Sequence, residues 1–213
     1  PPPRATPAPP RSPTDARRPP PGPPGVYVIR VPSTPGWGRA CGGRAASRVQ
    51  LLERDVLSRT APRGFDVVGA FNFSYWTFHD RATLKRYFQG VRRALDDGGL
   101  FMLDLHGGPD AQFSLEETTS FDDFDYVWDQ DLFDPITNHT VCHIHFRFPD
   151  GSELRKAFSY DWRLWTLPEL RDLLLEAGFA GVQPWWEGDD DRLRPTDEAE
   201  SLEAWVAYLA AWK

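Results

Sequence analysis

The stretch from 65 to 105 constrains the fold more than any other part of the chain. "FDVVGAF" (65–71) is a continuous apolar run broken only by Asp66, as in strands buried on both faces of a parallel sheet. Asp80 then stands as the N-cap of a helix over about 81–95, in which Leu84, Tyr87, Phe88, Val91 and Leu95 recur at helical spacing. "DDGG" (96–99) is expected to end that helix, glycine suiting the left-handed C-cap. "LFMLDL" (100–105) reads as a second buried strand. Strand, helix and strand so close together make a right-handed βαβ crossover, which sets the carboxyl ends of the two strands side by side. Those ends carry "NFSYW" (72–76) and "HGG" (106–108), so the two segments are expected to border one pocket.

The pattern then changes. "YVWDQDLF", "HTVCHIHFRF" and "ELRKAFSYDW" are separated by "DPITN" and "PDGS", both turn sequences, which predicts a three-stranded antiparallel meander. Alternation puts His143, His145 and Arg147 on one face of its middle strand and Cys142, Ile144, Phe146 and Phe148 on the other. "TLPEL" opens a second helix with a capping box from Thr166 to Glu169 and Pro168 in the first turn. Its buried stripe is Leu167, Leu170, Leu173, Leu174 and Ala177, and Gly178 takes the left-handed position after it. "GVQPWWEG" and "AWVAYLAAWK" read as closing strands, with helix as the alternative for the second. The fold class is α/β.

Composition divides the chain near residue 48. Residues 1–48 hold fourteen of the 21 prolines and no Leu, Phe, Glu, Lys or His. They have little to bury and read as a disordered Pro/Arg-rich segment. Eight Arg against Asp15 make this segment +7, which leaves −14 on 49–213 within the net −7. An acidic domain is a poor match for a nucleic-acid backbone, so no nucleic-acid partner is expected. No run has the roughly 18 apolar residues of a membrane span, so none is expected. No apolar signal core follows the basic N-terminus, and Cys41 and Cys142 lie far apart; both fit a reducing cytoplasm.

Residues 49–213 resemble the C-terminal two-thirds of a class I S-adenosylmethionine-dependent methyltransferase. "LLERDV" looks like the acidic motif after the family's third strand, and "FDVVGAFNFSYW" like the motif ending its fourth. "LKRYFQGVRRALDDGGLFMLDL" resembles the helix–turn–strand that follows, and "YDWRLWTLPELRDLLLEAGF" the late helix before the closing hairpin. The resemblance implies a Rossmann-like sheet of order 3-2-1-4-5-7-6 with an antiparallel insertion, incomplete at its N-terminal side. The family's "GxGxG" turn and the acidic ribose clamp on its second strand are absent from this sequence. "ACGGRAAS" (40–47) has glycines but no preceding apolar strand. Two accounts of residues 1–48 compete: a genuine Pro/Arg tail, or GC-rich DNA translated in the wrong frame. The second is favoured, because the anomalous segment stands where the resemblance requires the first two strands. Residues 49–213 are then a truncated methyltransferase domain.

The resemblance implies S-adenosylmethionine as cofactor and a small-molecule acceptor. It implies Asp55 at the adenine amino group with Val56 on the ring, and Asn72 and Phe73 along the donor's methionine portion. Tyr75 and Trp76 are candidates for the sulfonium or the acceptor, since electron-rich ring faces attract cations. His106, just past the second buried strand, stands at the correct sheet edge for a general base. His143, His145 and Arg147 are expected to turn from the meander toward the acceptor. Two alternating His without a third ligand do not make a metal site, and none is expected. The rival readings are another Rossmann enzyme such as a dehydrogenase, and a non-enzymatic ligand- or partner-binding module.

Overall fold

The computed structural model describes residues 55–58, 62–187 and 192–213. The expectations for residues 1–48, and for a short strand "VQLLERD" at 49–55 in all but its last residue, lie outside them. Strand β1 (Phe65–Ala70), helix α1 (Arg81–Ala94) and strand β2 (Leu95–Gly107) form the expected crossover, and the two strands pair in parallel from Val67↔Leu100 to Ala70↔Leu103. Asp80 caps α1, its carboxylate accepting the Thr83 N–H at 2.7 Å. Leu84, Tyr87, Phe88 and Val91 form the buried stripe.

The end of α1 departs from expectation. Leu95 turns straight into the extended region, and the left-handed glycine, Gly98 at φ 78°, lies three residues further on in a bulged strand start. Other groups satisfy the last helical carbonyls: Gly64 N–H donates to the Ala94 oxygen, and Lys213 Nζ to that of Leu95. Pairing with Phe65 therefore captures Leu95 before a glycine cap can form. β1 is also less covered than its apolar run implies. Val67 is 57% exposed, and β2 is the only strand paired with β1 among the described residues.

Strands β3 (Leu115–Ser120), β4 (Asp125–Asp134), β5 (His139–Arg147) and β6 (Glu153–Arg163) make an antiparallel sheet in sequential order. The meander thus has four strands, not three. β3, "LEETTS", is exposed along nearly its whole length and takes its strand form from pairing with β4. Helix α2 (Leu167–Glu176) opens with both hydrogen bonds of the Thr166–Glu169 capping box and is followed by Gly178 at φ 100°. Strands β7 (Gly181–Glu187), β8 (Leu193–Pro195) and β9 (Trp205–Trp212) complete the first sheet, in the order β1-β2-β9-β7-β8. The β9 segment is a strand, antiparallel to both β2 and β7. The order β1-β2-β9-β7 reproduces the 4-5-7-6 half of the expected sheet.

Candidate functional site

The carboxyl ends of β1 and β2 are joined by one buried acid. Past Ala70 the chain enters Asn72 and Phe73, both left-handed at φ 57° and 54°. Such conformations cost on the order of 1–3 kcal/mol each for non-glycine residues. The Asp104 carboxylate, 2% exposed in β2, accepts the Asn72 N–H at 2.8 Å on one oxygen and the Phe73 N–H at 3.0 Å on the other. Hydrogen bonds to a charged group contribute roughly 1.5–3 kcal/mol each, enough to offset that strain. The turn then runs into a 3-10 segment, Ser74–Thr77, whose Tyr75 hydroxyl donates to the Asp104 carbonyl at 2.8 Å.

Aromatic rings fill the space above these strand ends. The His106 ring lies 4.7 Å, centroid to centroid, from both Phe73 and Trp76, and Trp162 of β6 stands 5.7 Å from Trp76. Burial lowers the His106 pKa to about 4, so its imidazole is neutral at physiological pH. Burial also pushes the Tyr75 hydroxyl well above its ordinary range, which keeps it a hydrogen-bond donor and a poor proton carrier. The expected neighbourhood of 72–76 and His106 is therefore present under the antiparallel sheet. It is packed by rings in mutual contact.

The other candidates lie elsewhere. The Asp55 carboxylate accepts the Leu57 N–H within its own turn, and the Val56 carbonyl faces Gly90 in the third turn of α1. His143, His145 and Arg147 sit on the face of β5 opposite Cys142 and Ile144, which belong to the core with Trp162. His143 bonds Ser159 at 2.8 Å and Asp131 at 3.2 Å. His145 accepts the Lys156 N–H at 2.7 Å and, with that nitrogen so engaged, donates from Nε2 to Asp129 at 3.0 Å. Arg147 pairs with Glu116 at 2.8 Å. Cross-strand carboxylates thus hold all three on the face of β5 away from the ring cluster. Among the described residues no group of three or more His, Cys, Asp or Glu side chains is arranged to hold a metal ion.

Asp104 and Arg163 were not among the expected site residues. Asp104 leaves one mark in the sequence, a lone acid inside the apolar run "LFMLDL". Arg163 leaves none, because its partners are 84 residues away at His79 and in the capping box at Glu169.

The sequence matches no protein-family model and no curated protein. Solved structures do match in fold. A S-adenosylmethionine-dependent methyltransferase from Clostridium acetobutylicum aligns with TM-score 0.55 and 16% identity, over 75% of this chain and 62% of its own. The CcbJ methyltransferase from Streptomyces caelestis aligns with TM-score 0.61 and 16% identity, over 78% and 70%. CalS10, an amino pentose methyltransferase from Micromonospora echinaspora, aligns with TM-score 0.52 and 11% identity, over 75% and 62%. This chain therefore spans less than two thirds of the length of two of these three. With the sheet order, these likenesses show that the chain has the fold of the class I S-adenosylmethionine-dependent methyltransferases.

Proposed function

We propose that this chain derives from a methyltransferase that passes the methyl group of S-adenosylmethionine to a small-molecule acceptor. The observation that carries the reading is the Asp104-held turn at Asn72 and Phe73, where β1 and β2 end together. Open α/β sheets bind ligands at such carboxyl ends. A bound sulfonium donor supplies an electrophilic methyl, and in-line displacement needs neither a metal nor a covalent intermediate, only alignment. In this reading Asn72 and Phe73 line the methionine portion, and the Phe73 and Trp76 ring faces favour the positive sulfur. His106, neutral at the same edge, accepts a hydrogen bond from the acceptor's attacking group. Tyr75 supports the turn through Asp104. Asp55 and Val56, beside α1, are given no donor contact.

This sequence contains no GxGxG turn, so the test is made at high ligand concentration. Ligand-observed NMR at millimolar ligand tests the reading. Signals of adenosylmethionine and adenosylhomocysteine broaden with the protein, and those of NAD do not. Broadening of NAD alone, or of none of the three, rejects it. The close packing of Phe73 and Trp76 against His106 and Trp162 favours a second reading, a non-enzymatic ligand- or partner-binding module.

A further inference from the structure

We infer that Arg163 is a positioning residue for the strand-end turn, acting through His79. The turn is fixed at its start by Asp104, but its far end leaves the first sheet and meets β6. There Arg163 Nη1 donates to the His79 carbonyl at 3.0 Å, and the Trp165 indole N–H to the Phe78 carbonyl at 3.1 Å. The His79 ring nitrogen lies 3.1 Å from the Asp161 carbonyl and 3.3 Å from its carboxylate. The guanidinium lies 3.8 Å over the Trp165 ring, and its second nitrogen donates to Glu169 at 3.1 Å. Arg163 thus joins the antiparallel sheet, the start of α2 and the end of the turn. The contact borders an open groove of about 730 Å³, on the face of β6 away from Trp162.

The chemistry suits arginine. A rigid planar fork reaches two acceptors at fixed angles while stacking on a ring; a lysine ammonium reaches one and does not stack flat. Tyr75 and Trp76 lie between the two anchors. Arg163 therefore sets where Trp76 stands opposite His106, 4.7 Å away, and so how the turn receives a donor. The donor part of this inference rests on the proposed function; the turn part does not.

Hydrogen exchange on the full chain, with Arg163→Met and Arg163→Lys, tests it. Amides of residues 72–79 are expected to exchange at least tenfold faster in Arg163→Met, with β2, β9 and α2 unchanged and Arg163→Lys in between. Glu169 still caps α2 through Thr166, so that helix serves as the internal control. Faster exchange throughout the molecule, or none at 72–79, overturns the inference. Should Arg163→Met fail to fold, Arg163→Lys is read by the same criterion. Donor affinity is expected to fall at least fivefold in parallel, and a loosened turn with unchanged affinity also overturns the positioning role. A wild-type chain that binds no donor rejects the proposed function instead, while the exchange result still decides the role of Arg163 in the turn.

Discussion

The Asp104 carboxylate and the Phe73 backbone N–H meet at 3.0 Å, across the gap between β2 and the chain leaving β1. With the Asn72 N–H on the other oxygen, a single buried acid determines how the first strand ends. Asp104→Asn keeps one acceptor oxygen but sets an amide NH2 against a backbone N–H. The expected loss is about 1.5–3 kcal/mol of unfolding free energy, read from denaturant midpoints at unchanged m-value. A loss below about 0.5 kcal/mol is inconsistent with this role.

Backbone conformation at Asn72 gives a second test. At φ 57° asparagine is tolerated, glycine is better and a β-branched residue is strained. Asn72→Gly should change stability by less than about 0.5 kcal/mol, and Asn72→Val should cost about 1–2 kcal/mol. Equal costs would mean that the side chain matters there and the backbone does not.

His106 links the site to pH. Its folded pKa of about 4 lies below the ordinary 6.5. Between those values the unfolded chain takes up a proton that the folded chain does not. Stability therefore falls as pH drops from about 6.5 to 4, by roughly 3 kcal/mol, and this contribution is flat on either side. His106→Gln should flatten that part of the stability–pH curve. An unchanged slope would show that the imidazole titrates freely.

What was legible in the sequence was local. Asp80, the Thr166–Glu169 box and Gly178 declare themselves within four residues of what they cap, and the α1 stripe within one helix. β3 was not legible, because "LEETTS" has no alternation of its own and is made a strand by β4. Nor was the end of α1, where Phe65, thirty residues earlier in the chain, takes Leu95 from the helix. Alternation correctly put His143, His145 and Arg147 on one face. It could not say which face looks toward His106, since that depends on how the two sheets pack.

Gly108 is the point where backbone, not side chain, closes the strand end. It sits at φ 101°, and a Cβ there would lie 2.3 Å from the Glu203 carbonyl oxygen, a backbone atom that cannot swing aside. Gly108→Ala is expected to cost more than the 1–2 kcal/mol of an ordinary left-handed alanine and to weaken the Asp110 N–H to Glu203 hydrogen bond, now 3.0 Å. Thermal unfolding with exchange at Asp110 reads both.

The last test separates the two faces of β5. Cys142 faces the core, where burial raises its thiol pKa to about 11. Arg147 faces away and pairs with Glu116, both partly exposed. Thiol labelling of Cys142 at neutral pH, followed at that residue by peptide mapping, should be slow in the folded chain, because little thiolate forms and the sulfur is enclosed. Arg147→Gln should cost less than about 1 kcal/mol, as for other surface ion pairs, and leave donor affinity within about twofold. Trp76→Leu, which removes the ring against His106, should lower that affinity and, by loosening the ring row that runs through Trp162 to Tyr160 opposite Cys142, speed the labelling of Cys142. Arg147→Gln lowering affinity more than Trp76→Leu would place the donor site on the opposite face of the antiparallel sheet.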